Sequence, residues 1–196
     1  MQTSQRIYAS DASPSGGGVT YTDVASEVLP RALRVLSETR VEAGWYTSLF
    51  LSACPPRMEE VGGARDLSTN GRVSPRFSAL LSGWDFRVAI ATAWRTRSAH
   101  IKQLEMEAVK LAVQHMSKTS GTRDGRVVLL VDSAVALGAL GKGRSASHAL
   151  NRLCRQVFAS TALYGVSLAL HWVPSGLNPA DEPSRRVRRP RQRRPP

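Results

Sequence analysis

The chain has 196 residues, of which 42% are hydrophobic and 6% aromatic, so it can bury a core and is not wholly disordered. Its formal net charge is +12, yet seven arginines lie within residues 185–196. This predicts a mildly basic domain, residues 1–184, and a disordered Arg/Pro-rich tail suited to nucleic-acid binding or nuclear import. With two cysteines, no long apolar run and no secretion signal, we expect an intracellular protein, nuclear or cytoplasmic, that is not secreted and has no membrane partner.

The first residues predict a β-hairpin. Residues 6–11 have the composition of a short strand that ends in an acid, and residues 19–22 are β-branched and aromatic. Residues 12–15 and the three glycines at 16–18 lie between them and indicate the turn.

Residues 23–85 follow no single pattern, and we interpret them as an insertion after the hairpin. Residues 27–39 carry the apolar spacing of a helix, with Pro30 suited to its first turn. The apolar segment 45–53 fits either a helix or a strand. Residues 62–76 are rich in Gly, Ser, Asn and Pro, which predicts a loop.

Strands and helices alternate after the insertion. We predict a strand at 86–94, a helix at 100–117, a strand at 126–132, helices at 134–140 and 145–164, a strand at 166–173, and a short helix that starts at Pro179 with Asn178 as its cap. The continuous apolar run at 126–132 is typical of a strand buried on both faces. This order predicts one α/β domain with a mixed sheet flanked by helices.

Glu105 is the most informative single residue. On a helical wheel it falls at about 40° from the centre of the apolar stripe of its helix, whereas Glu107 falls at about 240°. A carboxylate on a buried face is costly unless a cation or a metal ion accompanies it. An arginine of the insertion is the alternative partner for Glu105.

Three further acids stand at the ends of predicted elements. Asp11 ends the first strand, Asp132 ends the most apolar strand, and Asp181 lies about three residues into the last short helix. Each also has a local explanation, as a turn residue, a helix cap or a partner of the helix dipole. Because active sites of open α/β sheets lie at the carboxyl ends of strands, the four acids together suggest one shared site.

A cluster of carboxylates favours Mg²⁺ or Mn²⁺ over zinc, because these ions prefer oxygen ligands. Two such ions about 4 Å apart can stabilise the attacking and leaving oxygens in the displacement of a phosphodiester. We therefore expect Asp11, Glu105, Asp132 and Asp181 to be both metal ligands and catalytic residues.

The pattern resembles the ribonuclease H domain of reverse transcriptases. Four segments carry the resemblance: residues 7–11 with the glycines at 16–18; residues 100–108 around Glu105; residues 131–133 with the Ala-Leu-Gly at 136–138; and residues 172–175 with Asn-Pro-Ala-Asp at 178–181 and Pro-Ser-Arg at 183–185. The last segment has the form found in hepadnaviral polymerases and in DIRS-like retroelements.

The resemblance implies a ribonuclease H-like fold, with a roughly five-stranded mixed sheet whose first three strands are antiparallel. It implies hydrolysis of the RNA strand of an RNA–DNA hybrid with two Mg²⁺ ions and, as a partner, a polymerase domain absent from this chain. Asp11 would contact both ions, Asp181 the ion that activates water, and Glu105 and Asp132 the ion at the leaving group. Ser133 and Asn178 would contact the substrate.

Two departures from the family stand out. Asp11 and Glu105 are 94 residues apart because of the insertion, and residues 175–177 contain no histidine where many members have one. A nucleic-acid-binding module that has lost catalysis, or another nuclease of the same fold class, therefore remains an alternative. Four basic residues near Asp132 suit either a phosphate-binding track or a solvated helix face: Lys142, Arg144, Arg152 and Arg155.

Overall fold

The computed structural model describes residues 2–41, 73–94 and 99–187, with side chains described except at Arg40 and Val41. It contains six strands: β1 (Thr3–Ala12), β2 (Gly16–Asp23), β3 (Arg40–Val41), β4 (Arg87–Ala93), β5 (Arg126–Val131) and β6 (Ser167–Trp172). The helices are α1 (Leu29–Leu36), α2 (Pro75–Ser82), α3 (Ile101–Lys118), α4 (Ala134–Lys142), α5 (His148–Leu163) and α6 (Asp181–Arg185).

The strands form one mixed sheet in the order β3-β6-β5-β1-β2-β4. The pairs β1–β2 and β2–β4 are antiparallel, whereas β1–β5 and β5–β6 are parallel. The two-residue β3 pairs antiparallel with β6 at one edge. The predicted α/β class, with about five main strands and flanking helices, is confirmed; β3 is a short addition.

One face of the sheet packs against α3 and α5. The alternate residues Val127, Leu129 and Val131 of β5 belong to this core, together with Tyr8 of β1. From α3 it contains Met106, Val109, Ala112, Val113 and Met116, all fully buried. The helical periodicity of α3 therefore points its apolar stripe at the sheet, as expected for an amphipathic helix.

The opposite face is covered by α1 and α2, which both belong to the predicted insertion. Val128 and Leu130 of β5 contact this second core, which also contains Leu36 of α1 and Phe77 of α2. Phe77 is fully buried, and burying a side chain of this size stabilises the fold by about 1.5–3 kcal/mol. Because both faces are covered, β5 is apolar and buried from Val127 to Val131.

The turn is shorter than predicted, because the three glycines do not belong to it. Gly16, Gly17 and Gly18 lie inside β2, and the turn is formed by residues 13–15. A Cβ on Gly18 would lie 2.6 Å from the carbonyl oxygen of Ala180 and 2.8 Å from the amide nitrogen of Ser184. The glycine is thus required by the close approach of α6 to β2 and not by a reversal of the chain.

Other boundaries differ from the predictions. Pro75 and Arg76 begin α2, with Ser74 as the N-cap, where a loop was predicted. Arg185 belongs to α6, although it was assigned to the disordered tail. Asp181 is the first residue of α6 rather than the third, because residues 179 and 180 form a turn before the helix. The predicted segment 45–53, most of the loop 62–76 and tail residues 188–196 lie outside the described residues.

In the described part of the chain, no helix combines the length and the apolar character needed to cross a bilayer.

Candidate active site

Asp11 and Asp132 lie at the same edge of the sheet because β1 and β5 are parallel neighbours. Ser10 is in register with Val131, so the next residue on each strand is one of the two acids. Asp11 is also paired with Gly18 of β2, and Asp132 directly follows β5. Adjacent parallel strands bring their carboxyl ends together, which explains how residues so distant in sequence come close together.

Asp11 is almost fully buried, with 7% of its surface exposed. The pKa of Asp11 is raised from 3.8 to about 6, mainly by burial and also by the negative charges of Asp132 and Asp181, while a hydrogen bond from Ser184 opposes the shift. The Ser184 hydroxyl lies 2.5 Å from Asp11 Oδ2. Asp132 and Asp181 thus both lie within electrostatic reach of Asp11.

Asp181 reaches this edge because α6 is tied to β1 and to the turn that follows it. Ser13 Oγ donates to the carbonyl of Ser184 at 2.7 Å, and Asn178 Nδ2 donates to the carbonyl of Ser10 at 3.1 Å. Asp181 Oδ1 accepts a hydrogen bond from Arg185 Nε at 2.8 Å, and Arg185 Nη2 forms an ion pair with the same oxygen at 2.8 Å. This bond to Asp181 raises the pKa of Arg185, and the charges of Asp11 and Asp132 add to the effect.

Glu105 lies in the second turn of α3 and is half-buried. Its Oε2 accepts a hydrogen bond from Ser133 Oγ at 2.5 Å. Ser133 follows Asp132 directly and caps α4, because its Oγ also accepts from the amide of Ala136 at 3.1 Å. Within the described residues, this serine takes the place of the arginine that we considered as an alternative partner.

Asp132 is held from the loop after β6. Its Oδ2 accepts from Ser175 Oγ at 2.7 Å, and its carbonyl accepts from Trp172 Nε1 at 3.1 Å. Ser175 opens the 3-10 turn that precedes α6. This loop, which contains no histidine, thus supplies a hydroxyl to Asp132.

The four acids provide the type of ligand atom that a divalent ion prefers. All four acids offer oxygen atoms, which Mg²⁺ and Mn²⁺ prefer, and a cation would relieve the repulsion that contributes to the raised pKa of Asp11. As the side chains stand, however, no three His, Cys, Asp or Glu residues of the described chain are grouped closely enough to hold one ion. Both contacts from Arg185 are to Oδ1 of Asp181, so Arg185 would compete with a metal ion for that oxygen.

The two predicted substrate contacts occupy different environments. Ser133 is buried and bonded to Glu105, and Asn178 is buried with its amide bonded to Ser10 and to the backbone of Ala180. Both residues thus have partners inside the protein, and their contact with substrate remains a prediction.

Sequence reasoning assigned no role to three residues that touch the acids: Ser175, Ser184 and Arg185. Ser184 and Arg185 belong to the Pro-Ser-Arg segment that contributed to the resemblance, so a signal was present. Ser175 has no comparable signal, because a serine in a polar loop is ordinary.

No protein-family model matches the chain, and no curated protein is significantly similar to it.

Proposed function

We propose that the chain is a ribonuclease H-like nuclease that uses two divalent metal ions to hydrolyse the RNA strand of RNA–DNA hybrids. The observation that carries the proposal is the arrangement of the four acids. Asp11, Asp132 and Asp181 interact electrostatically at one edge of the sheet, and Glu105 is joined to Asp132 through the adjacent Ser133.

The topology supports the proposed fold identity. Read from β4 to β6, the sheet consists of three antiparallel strands followed by two strands parallel to β1. The resemblance implied a sheet of about five strands whose first three are antiparallel. The long insertion does not interrupt this order, because its described helices lie against one face of the sheet.

Asp11, Glu105, Asp132 and Asp181 would hold the metal ions. Two bound Mg²⁺ ions would stabilise the negative charge on the attacking and leaving oxygens of a phosphodiester. The chain itself supplies fixed carboxylates: Ser184, Ser175 and Ser133 each donate to one acid and restrict its orientation. Such preorganisation lowers the cost of assembling the site.

The charge distribution supports a polyanionic substrate. Residues 133–180 contain no aspartate or glutamate. Lys142, Arg144, Arg152 and Arg155 are exposed in this stretch, and the first two line a groove with Val135 and Gly138 of α4. Because α4 begins two residues after Asp132, this groove starts beside the acids, where a phosphate backbone would contact basic side chains. The resemblance to ribonuclease H domains of reverse transcriptases adds the polymerase domain of a retroelement as the proposed partner and a nuclear or cytoplasmic place of action.

A cleavage assay with matched variants tests the proposal. The protein is incubated with RNA–DNA hybrid, double-stranded RNA and double-stranded DNA, with Mg²⁺ or with EDTA. We expect cleavage of the hybrid alone, absent in EDTA and reduced at least 10³-fold in Asp132→Asn and Glu105→Gln, because each removes a charged metal ligand.

Glu107→Gln is the matched control, because Glu107 lies two residues from Glu105 on the same helix but pairs with Lys110. Its activity should match that of the unchanged protein. Tight binding of the hybrid without cleavage would instead identify a binding module, and cleavage of DNA duplexes would identify another nuclease of this fold class.

A further inference from the structure

Ser184 makes the most enclosed contact with any of the four acids. It is fully buried, and its hydroxyl lies 2.5 Å from Asp11 Oδ2 and 2.8 Å from the carbonyl of Asp181. A hydroxyl has one proton, and an ionised carboxylate is the stronger acceptor. The proton therefore goes to Asp11 when that carboxylate is charged.

The backbone of Ser184 is fixed independently of this hydroxyl. Its carbonyl accepts from Ser13 Oγ at 2.7 Å, and its amide donates to the carbonyl of Ala180 at 3.1 Å. The bare Cα of Gly18 lies directly against its amide nitrogen. Removing the hydroxyl would leave these contacts intact, so a structural role of the backbone can be separated from a role of the side chain.

We propose that Ser184 is a positioning residue that orients the Asp11 carboxylate for binding of a divalent metal ion. This inference rests on the proposed function. Its hydroxyl holds one carboxylate oxygen and so limits rotation of the side chain. Ser175 and Ser133 make similar bonds to Asp132 and Glu105, but Ser184 alone among the three is fully buried, so water cannot readily replace its hydroxyl.

Mn²⁺ binding without nucleic acid tests the inference. The full chain is titrated with Mn²⁺ at fixed pH by calorimetry, and free Mn²⁺ is followed by electron paramagnetic resonance. We expect Ser184→Ala to weaken Mn²⁺ binding ten- to hundredfold, the usual effect of losing a bond that orients a metal ligand. Ser184→Cys, which keeps a small and weaker donor, should restore part of the affinity.

Ser117→Ala is the matched control, because Ser117 is also buried and donates to a backbone carbonyl, that of Val113, at the far end of α3. It should leave Mn²⁺ affinity unchanged, whatever its effect on thermal stability. In hybrid cleavage, Ser184→Ala should raise the Mg²⁺ concentration for half-maximal rate, with little change in the KM for hybrid.

The outcomes separate this inference from the proposed function. If Ser184→Ala binds Mn²⁺ as tightly as the unchanged protein, the positioning role is overturned while the nuclease proposal stands. If Mn²⁺ binding depends on both Asp11 and Ser184 but no hybrid is cleaved, the nuclease proposal fails and the positioning role stands. A protein that binds no Mn²⁺ overturns both.

Discussion

The two ends of β1 differ in how their charged and polar side chains are paired. Near its start, Arg6 forms a two-bond ion pair with Asp23, at 2.6 and 2.8 Å, and its guanidinium lies 4.2 Å from the centre of the Tyr21 ring. Tyr8 is fully buried, and its hydroxyl lies 3.2 Å from His115 Nδ1. Arg6 and Tyr8 each have a complementary partner at this end.

The other end of β1 gathers charges of one sign. Asp11 is buried beside Asp132 and Asp181, and the pKa of Asp11 is raised by burial and by these neighbours. Serine hydroxyls and the exposed Arg185 offset the charge only in part. The difference teaches that one strand combines a region built for stability with a region whose arrangement costs stability, as functional sites commonly do.

The largest expected effect on stability comes from removing the charge of Asp11. Between about pH 4 and pH 6 the folded protein binds more protons than the unfolded chain, because the pKa of Asp11 is raised from 3.8 to about 6. Stability from this group therefore falls as the pH rises through that window and stays low above it. Asp11→Asn should stabilise the metal-free protein at pH 7.5 by up to about 3 kcal/mol, measured by urea unfolding.

The same measurement at pH 4 provides an internal control, because Asp11 is then mostly protonated and the gain should shrink. Asp85→Asn, at an exposed position, should change stability little at either pH. If Asp11→Asn is instead destabilised at pH 7.5, the claim that the charge of Asp11 costs stability is wrong.

A change of intermediate size in unfolding free energy is expected near the start of β1. Tyr8→Phe removes the hydroxyl that faces His115 and should cost about 0.5–1.5 kcal/mol of unfolding free energy, the usual value of one buried hydrogen bond. Tyr164→Phe, at an exposed position, serves as the control. Mn²⁺ affinity should stay the same in Tyr8→Phe; a change would mean that the two ends are coupled.

The smallest effect is expected from the Arg6–Asp23 ion pair. The side chains are 25% and 49% exposed, so solvent screens their attraction. A double-mutant cycle of Arg6→Gln and Asp23→Asn should give a coupling energy of about 0.2–1 kcal/mol that decreases as salt is added. A coupling energy that is independent of salt would argue against an electrostatic origin.

Sequence periodicity was enough to predict individual strands and helices. The apolar run that became β5 and the helical spacing around Glu105 each follow from the periodicity of one element. The sheet then brings Asp11 and Asp132 together because they end parallel neighbours. These steps need no knowledge of contacts between distant side chains.

The sequence-based predictions were wrong or incomplete where a residue's role depends on contacts between distant segments of the chain. The glycines of β2 resemble a turn until α6 is placed beside them, and Ser184 gains its role only when it meets Asp11, 173 residues away. The helix α2 has eight residues, too few for a clear periodic signal, although Ser74 and Pro75 are favourable starting residues. Its Phe77 is recognisable as core only after the sheet is built.

Gly18 has a consequence for genetics as well as for folding. It bears no reactive group, yet any side chain there would collide with the Ala180 carbonyl and the Ser184 amide. A substitution would displace the final helix and take Asp181 away from Asp11 without altering a single acid. A screen for variants that are well folded but inactive should therefore recover changes at this bare position, and a search confined to chemically active residues would miss them.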